Sequence, residues 1–181
     1  MVMKKYVLAA LVVASSMLSA QLRLGVDLAG TLSAEIEGET AGSSLGTGLS
    51  LAYDHMFTDM LGVGAEYQLG RESAEEGEEG TKVSFTTVYG VGSYGINEKL
   101  SAKLRLGYAV MVSFGEELDE IAKPKGGLMF GLGVAYAIND NLGLDVGYYS
   151  NAASWEAELL GTSFSLDYSM TRLQTGLTYS F

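Results

Sequence analysis

The feature that most limits this chain is a period of two. Leu22, Leu24, Val26 and Leu28 alternate with Arg23, Gly25, Asp27 and Ala29. Side chains spaced this way stand on opposite faces of an extended strand, so the segment reads as an amphipathic strand. The same test finds seven more. Leu45–Asp54 sets Leu49, Leu51 and Tyr53 against Gly46, Gly48, Ser50 and Ala52, and Leu61–Gly70 sets Leu61, Val63, Ala65, Tyr67 and Leu69 against Gly62, Gly64, Glu66 and Gln68. In Val83–Tyr94 the apolar row is Val83, Phe85, Tyr89 and Val91, and in Ala102–Phe114 it runs Leu104, Leu106, Tyr108, Val110, Val112 and Phe114. Leu128–Ile138, Leu142–Tyr148 and Leu173–Phe181 complete the set. The chain is predicted to be all-β.

The connections fall into two alternating classes. Short ones lie at about 55–60, 95–99 and 139–141, and long ones at about 35–44, 72–81, 115–126 and 149–163. Eight strands with short turns at one end and long loops at the other predict an antiparallel up-and-down transmembrane β-barrel. No stretch after residue 20 approaches 18 consecutive apolar residues, which removes a membrane-spanning helix from the options.

Composition orients this barrel. Glycine is abundant, 24 of 181 residues, and 14 of those glycines (25, 46, 48, 62, 64, 70, 90, 92, 107, 131, 133, 143, 147 and 176) share the face opposite the apolar row. Arg23, Asp27, Glu66, Lys103, Arg105, Asp145 and Arg172 share it too. The interior of eight strands is just wide enough for side chains to fill, and Arg or Lys facing lipid costs about 2–4 kcal/mol at the midplane. Glycine and charge therefore belong inside, and the aliphatic row faces lipid. A soluble barrel of the lipocalin kind would have to coat its surface with glycine, and is rejected.

Residues 1–20 read as a secretory signal peptide: Lys4 and Lys5, the apolar run Val7–Val13, then mostly small residues to Ala20. The apolar run is too short for a membrane anchor. Removing it leaves 22 acids and 9 bases, a net charge of −13, and residues 21–181 as one barrel domain. That acidity argues against a nucleic-acid partner. With no cysteine, disulfides and thiolate chemistry are excluded.

With these features the chain resembles the small outer-membrane barrels of the OmpA transmembrane domain, OmpX and opacity-protein type, often grouped as porin-family proteins. The resemblance covers the whole mature chain. It implies residence in the outer membrane of a diderm bacterium after secretion to the periplasm, contact with lipid and lipopolysaccharide, and a monomer with no cofactor and no metal. It also implies that the terminal strand, with Leu177, Tyr179 and Phe181, is the signal read by the barrel assembly machinery. An internal salt-bridge cluster of the OmpA kind is implied for the interior charges.

Those charges, Arg23, Asp27, Glu66, Lys103, Arg105, Asp145 and Arg172, together with Gln174, form the candidate site. Two functions are open to it: a paired plug in a barrel serving envelope structure or surface interaction, and a narrow pore for ions or small solutes. The long connections hold 14 of the 22 acids (residues 35, 37, 39, 72, 75, 76, 78, 79, 116, 117, 119, 120, 156 and 158). They read mainly as a solvated, self-repelling surface, with an extracellular ligand or divalent cations as the sharper expectation, although no calcium-loop spacing is present. Trp155 is expected to anchor at the membrane interface. Gly90–Gly95 fits the letters of a dinucleotide fingerprint but has no helix after it. The one histidine, His55, falls in a short connection, so no catalysis is predicted. Residues 163–169 break the pattern, with Phe164, Leu166 and Tyr168 on the opposite parity to Leu173, which predicts a bulge or an extension beyond the membrane.

Overall fold

A computed structural model describes residues 20–36, 39–72, 82–114, 123–159 and 162–181. The signal-peptide segment, apart from Ala20, and most of the acidic loop positions lie outside the described residues. Nine strands follow in order: β1 (Ala20–Ile36), β2 (Glu39–Leu45), β3 (Gly48–Met56), β4 (Leu61–Glu72), β5 (Lys82–Gly95), β6 (Leu100–Ser113), β7 (Lys123–Ala137), β8 (Leu142–Leu159) and β9 (Thr162–Ser180). Both β2 and β3 pair with β1, so they are two segments of one stave interrupted at Gly46 and Thr47. Each later strand pairs antiparallel with the next, and β9 returns to β1, from Gln21↔Ser180 to Glu35↔Asp167. The result is a closed barrel of eight staves. Among the described residues no helix is long and apolar enough to cross a membrane.

One turn is used three times. Phe57-Thr58-Asp59-Met60-Leu61, Ile96-Asn97-Glu98-Lys99-Leu100 and Ile138-Asn139-Asp140-Asn141-Leu142 share a pattern of apolar residue, Thr or Asn, acid, any residue and Leu. In each, the second side chain accepts hydrogen bonds from the two N–H groups that follow the acid: Thr58 from Met60 and Leu61, Asn97 from Lys99 and Leu100, Asn139 from Asn141 and Leu142. The Leu carbonyl closes each turn by accepting from the first two residues. Such side-chain bonds replace a ladder the backbone cannot make at a reversal.

The outer wall is aliphatic and aromatic. Leu24, Leu51, Leu106, Leu132, Val146 and Leu177 all stand about half exposed on it. That is the wall expected of strands facing lipid. Sequence and structure part company along the whole of β5 and, on other strands, near the long connections. On β5 the apolar row predicted to face out, Val83, Phe85, Tyr89 and Val91, is buried inside, while Val88 stands on the outer wall. Gly90 and Gly92 follow Val88 outward, Gly70 does the same on β4, and Gly46 lies in the break between β2 and β3. On β6 the extra residue of a bulge around Val110 turns Val112 and Phe114 inward, against expectation.

Similar bulges interrupt β1 at Leu28–Ala29, β4 at Leu69–Gly70 and β7 at Gly127–Leu128. In β1, β4 and β6 the order is inside, outside, outside, inside, because the added residue joins the outer row. Of the two explanations expected for the conflict at residues 163–169, a bulge or an extension beyond the membrane, the bulge is not found. The β8–β9 ladder runs unbroken from Leu159↔Thr162 to Leu142↔Tyr179. Tyr168 keeps the parity of Met170 and Arg172 and packs inward on Phe114, with ring centroids 4.9 Å apart. The interior itself has become apolar at that level. The expected long connections at 35–44 and 149–163 are largely strand, continued past the level of the lid, and Trp155 is paired within β8 opposite Pro124 and Leu166.

Candidate functional site: the barrel interior

Three levels stack along the interior. At the short-turn end a recess of about 510 Å³ opens between the three repeated turns, with Gln21, Ser93, Lys103 and Thr178 among its walls. The middle is ionic. At the long-loop end Leu45, Val83, Phe85, Ala109, Phe114, Ala153 and Met170 form a buried apolar lid, with Leu32, Val112 and Tyr168 packed against it.

The ionic level is built around Tyr149, which is fully buried on β8. Its hydroxyl accepts hydrogen bonds from Arg23 Nη1 and Arg105 Nη1, both at 2.6 Å, and donates to Asp145 Oδ1 at 3.1 Å. The guanidinium carbons of Arg172, Arg23 and Arg105 lie 4.9, 5.4 and 5.7 Å from its ring centroid. Guanidinium groups are attracted to the negative face of an aromatic ring within about 6 Å. Glycine makes the space: a Cβ at Gly131 would sit 2.6 Å from the Tyr149 ring, and one at Gly147 only 2.9 Å from its hydroxyl.

The acids complete the network. Glu66 receives Arg172 at 2.7 Å and Arg23 at 3.6 Å. Asp145 is bridged to both Arg23 and Arg105 at 3.3 Å, and Arg105 also reaches Asp54 at 3.2 Å. Asp27 receives Arg71 at 3.0 Å and Arg172 at 3.6 Å. Gln174 ties the two halves together: its amide donates to Asp27, Ser50 and Glu66, while its carbonyl accepts from Arg23 at 2.6 Å. Multiple partners of this kind are what allow charges to stay buried, since an unpaired one costs several kcal/mol.

All eight residues singled out in the interior from the sequence are buried there: Arg23, Asp27, Glu66, Lys103, Arg105, Asp145, Arg172 and Gln174. Seven belong to one network. Lys103 stands apart at the edge of the recess, donating to Gln21 Oε1 at 3.1 Å.

Sequence reasoning missed Asp54, Arg71, Tyr89 and Tyr149. Asp54 continues the parity of Gly48, Ser50 and Ala52, and Tyr149 that of Gly143, Asp145 and Gly147, so carrying each alternation one step further would have found them. Tyr89, which donates to Asp54 at 2.6 Å, was hidden because an aromatic ring counts as apolar in the pattern. Arg71 needed the β4 bulge. It passes beside Gly30 and Gly48 to reach Asp27, and donates to the Gly46 carbonyl at 2.9 Å across the break in the neighbouring stave.

Leu177, Tyr179 and Phe181 all point outward from the last strand, and the Phe181 ring meets Tyr179 edge-on at 5.0 Å. His55 is the penultimate residue of β3, just before the short turn rather than in it, with its ring between Tyr53 and Phe57. Among the described residues no group of three or more His, Cys, Asp or Glu could hold a metal ion.

The comparisons with known proteins agree with this architecture. Neisserial surface protein A superposes with a TM-score of 0.61 at 14% identity, over 90% of this chain and 97% of its own. A transmembrane β-barrel designed de novo superposes at 0.52 and 13% identity, over 90% and 96%. At these identities the likeness is one of fold. No curated protein matches the chain in sequence. Residues 6–181, almost the whole chain, match the family described as outer membrane protein beta-barrel domain. A closed eight-stave barrel, an aliphatic outer wall, a charged interior and that match together make this chain an integral outer-membrane protein belonging to the outer membrane protein beta-barrel domain family.

Proposed function

We propose that this protein is a non-enzymatic, non-conducting barrel that serves envelope structure or surface interaction through the acidic segments at its long-loop end. One observation carries the reading: the bore is filled twice over, first by the network around Tyr149 and then by the lid of Val83, Phe85, Phe114 and Met170. Ions crossing it would have to displace both a densely ion-paired network and an apolar layer, and each opposes them for a different reason. The absence of catalysis is supported by His55, which stands on the outer wall among aromatic rings, away from the polar interior.

In this reading the three short turns face the periplasm, and the long-loop end meets lipopolysaccharide, its bound divalent cations or an extracellular ligand. The outward row Leu177, Tyr179 and Phe181 serves as the assembly signal, and the barrel works as a monomer. Single-channel recording of refolded protein in planar bilayers tests the central claim. The expected trace is a flat baseline. A steady, well-defined conductance would overturn the plugged reading in favour of a narrow pore.

A further inference from the structure

The short-turn recess has a charge arrangement that the plug does not use. Among the described residues the barrel interior buries five cations, Arg23, Arg71, Lys103, Arg105 and Arg172, and four carboxylates, Asp27, Asp54, Glu66 and Asp145. Every arginine is bridged to at least one of those acids. The surplus cation is Lys103. It is 7% exposed, lines the recess, and hydrogen-bonds only the neutral Gln21 amide, with no carboxylate within 4.0 Å among the described residues. Arg105 engages the nearest acids, Asp54 and Asp145, through its own guanidinium. An ammonium has three protons to donate. Mostly buried and with one neutral partner, Lys103 gains from an anion placed on its side toward the recess.

The mouth of the same recess has the opposite sign. Each repeated turn carries an exposed acid in its third position, Asp59, Glu98 and Asp140, and all three line the opening with Lys99 beside them. The rim is therefore net −2. Between floor and rim the wall is partly apolar, with Met56, Phe57 and Leu100.

We infer that this recess binds a small monocarboxylate whose far end is cationic or neutral, with the carboxylate on Lys103 and the far end among the turn acids. The apolar wall between them suits a short aliphatic stem. A dianion is selected against, because its second charge must lie among Asp59, Glu98 and Asp140. The site is independent of conduction, since the ionic network and the lid stay closed behind it.

The test is titration of the refolded full-length barrel in lipid nanodiscs, followed by calorimetry, with three probes of matched length: 6-aminohexanoate, adipate and hexylammonium. Saturable binding of 6-aminohexanoate is expected, with adipate about tenfold weaker or worse and hexylammonium undetectable, as opposed and unpaired charges dictate. Lys103→Met should weaken 6-aminohexanoate by about tenfold or more, through loss of one charge-assisted contact. The rim variant Asp59→Asn/Glu98→Gln/Asp140→Asn, which changes only exposed turn positions, should bring adipate level with 6-aminohexanoate. Should Lys103→Met fail to refold, as judged by heat-dependent gel mobility, the rim variant decides alone. No saturable binding of 6-aminohexanoate, unchanged binding in Lys103→Met, an unchanged preference in the rim variant, or hexylammonium binding as tightly as 6-aminohexanoate would each overturn the assignment.

Discussion

The middle of the barrel and its lid are enclosed by the same staves, yet they are filled on different principles. At the level of Glu66 and Tyr149 each inward side chain has named partners, and its identity matters more than its size. At the level of Phe85 and Met170 the side chains of the lid are apolar and held mainly by volume, bordered by Gln68 and by the Asn151–Thr87 hydrogen bond. The difference teaches that facing inward says nothing about polarity. A barrel interior tolerates charge where partners converge and oil where they do not, and β5 passes from Tyr89 to Phe85 without any change of parity.

Four measurements would break or sharpen this contrast, each read as the urea midpoint of refolded protein. The largest effect is expected from deleting Leu106, which lies between Arg105 and Gly107 in the regular part of β6. Removing one residue there turns every side chain on one side of the cut to the opposite face, so the deletion should prevent refolding. Next comes Glu66→Ala. It leaves Arg172 and Arg23 without their shared carboxylate and should cost about 3–5 kcal/mol, as for one partner of a buried ion pair. Gly131→Ala should cost about 1–3 kcal/mol, because the new methyl meets the Tyr149 ring and overpacks the middle level.

The smallest effect is expected from deleting Val110, the extra residue of the β6 bulge. Ala109, Met111, Val112, Ser113 and Phe114 then alternate regularly with their present facing, so the change should stay within about 1 kcal/mol, a typical point-mutation effect. Comparable losses from the Leu106 and Val110 deletions would show that the bulges do not set the lid.

Much of this was legible in the residues. Alternation placed eight staves. The shared parity of glycine with Arg23, Asp27, Glu66, Lys103, Arg105, Asp145 and Arg172 pointed those charges away from lipid, because lipid and a cramped bore impose opposite demands on size and charge. The repeated turn was also written plainly, three times over, although its hydrogen bonds give it meaning only once Thr58, Asn97 and Asn139 are seen in the same role. What failed was the rule that an apolar row faces lipid. Val83, Phe85, Phe114 and Tyr168 obey the same hydrophobic effect inside a closed barrel as Leu51 does outside it.

The order of residues alone therefore settled the number of staves, their antiparallel order and the pole at which the chain turns tightly, since each depends on local period and turn chemistry. Only closure decided the rest. Which acid meets which arginine, where a bulge moves the inner row by one residue, and why Lys103 is left over at the recess all depend on side chains brought together from strands as distant in sequence as β1 and β8. Pairing across a bore is a three-dimensional sum of charges and volumes, and no single strand contains it.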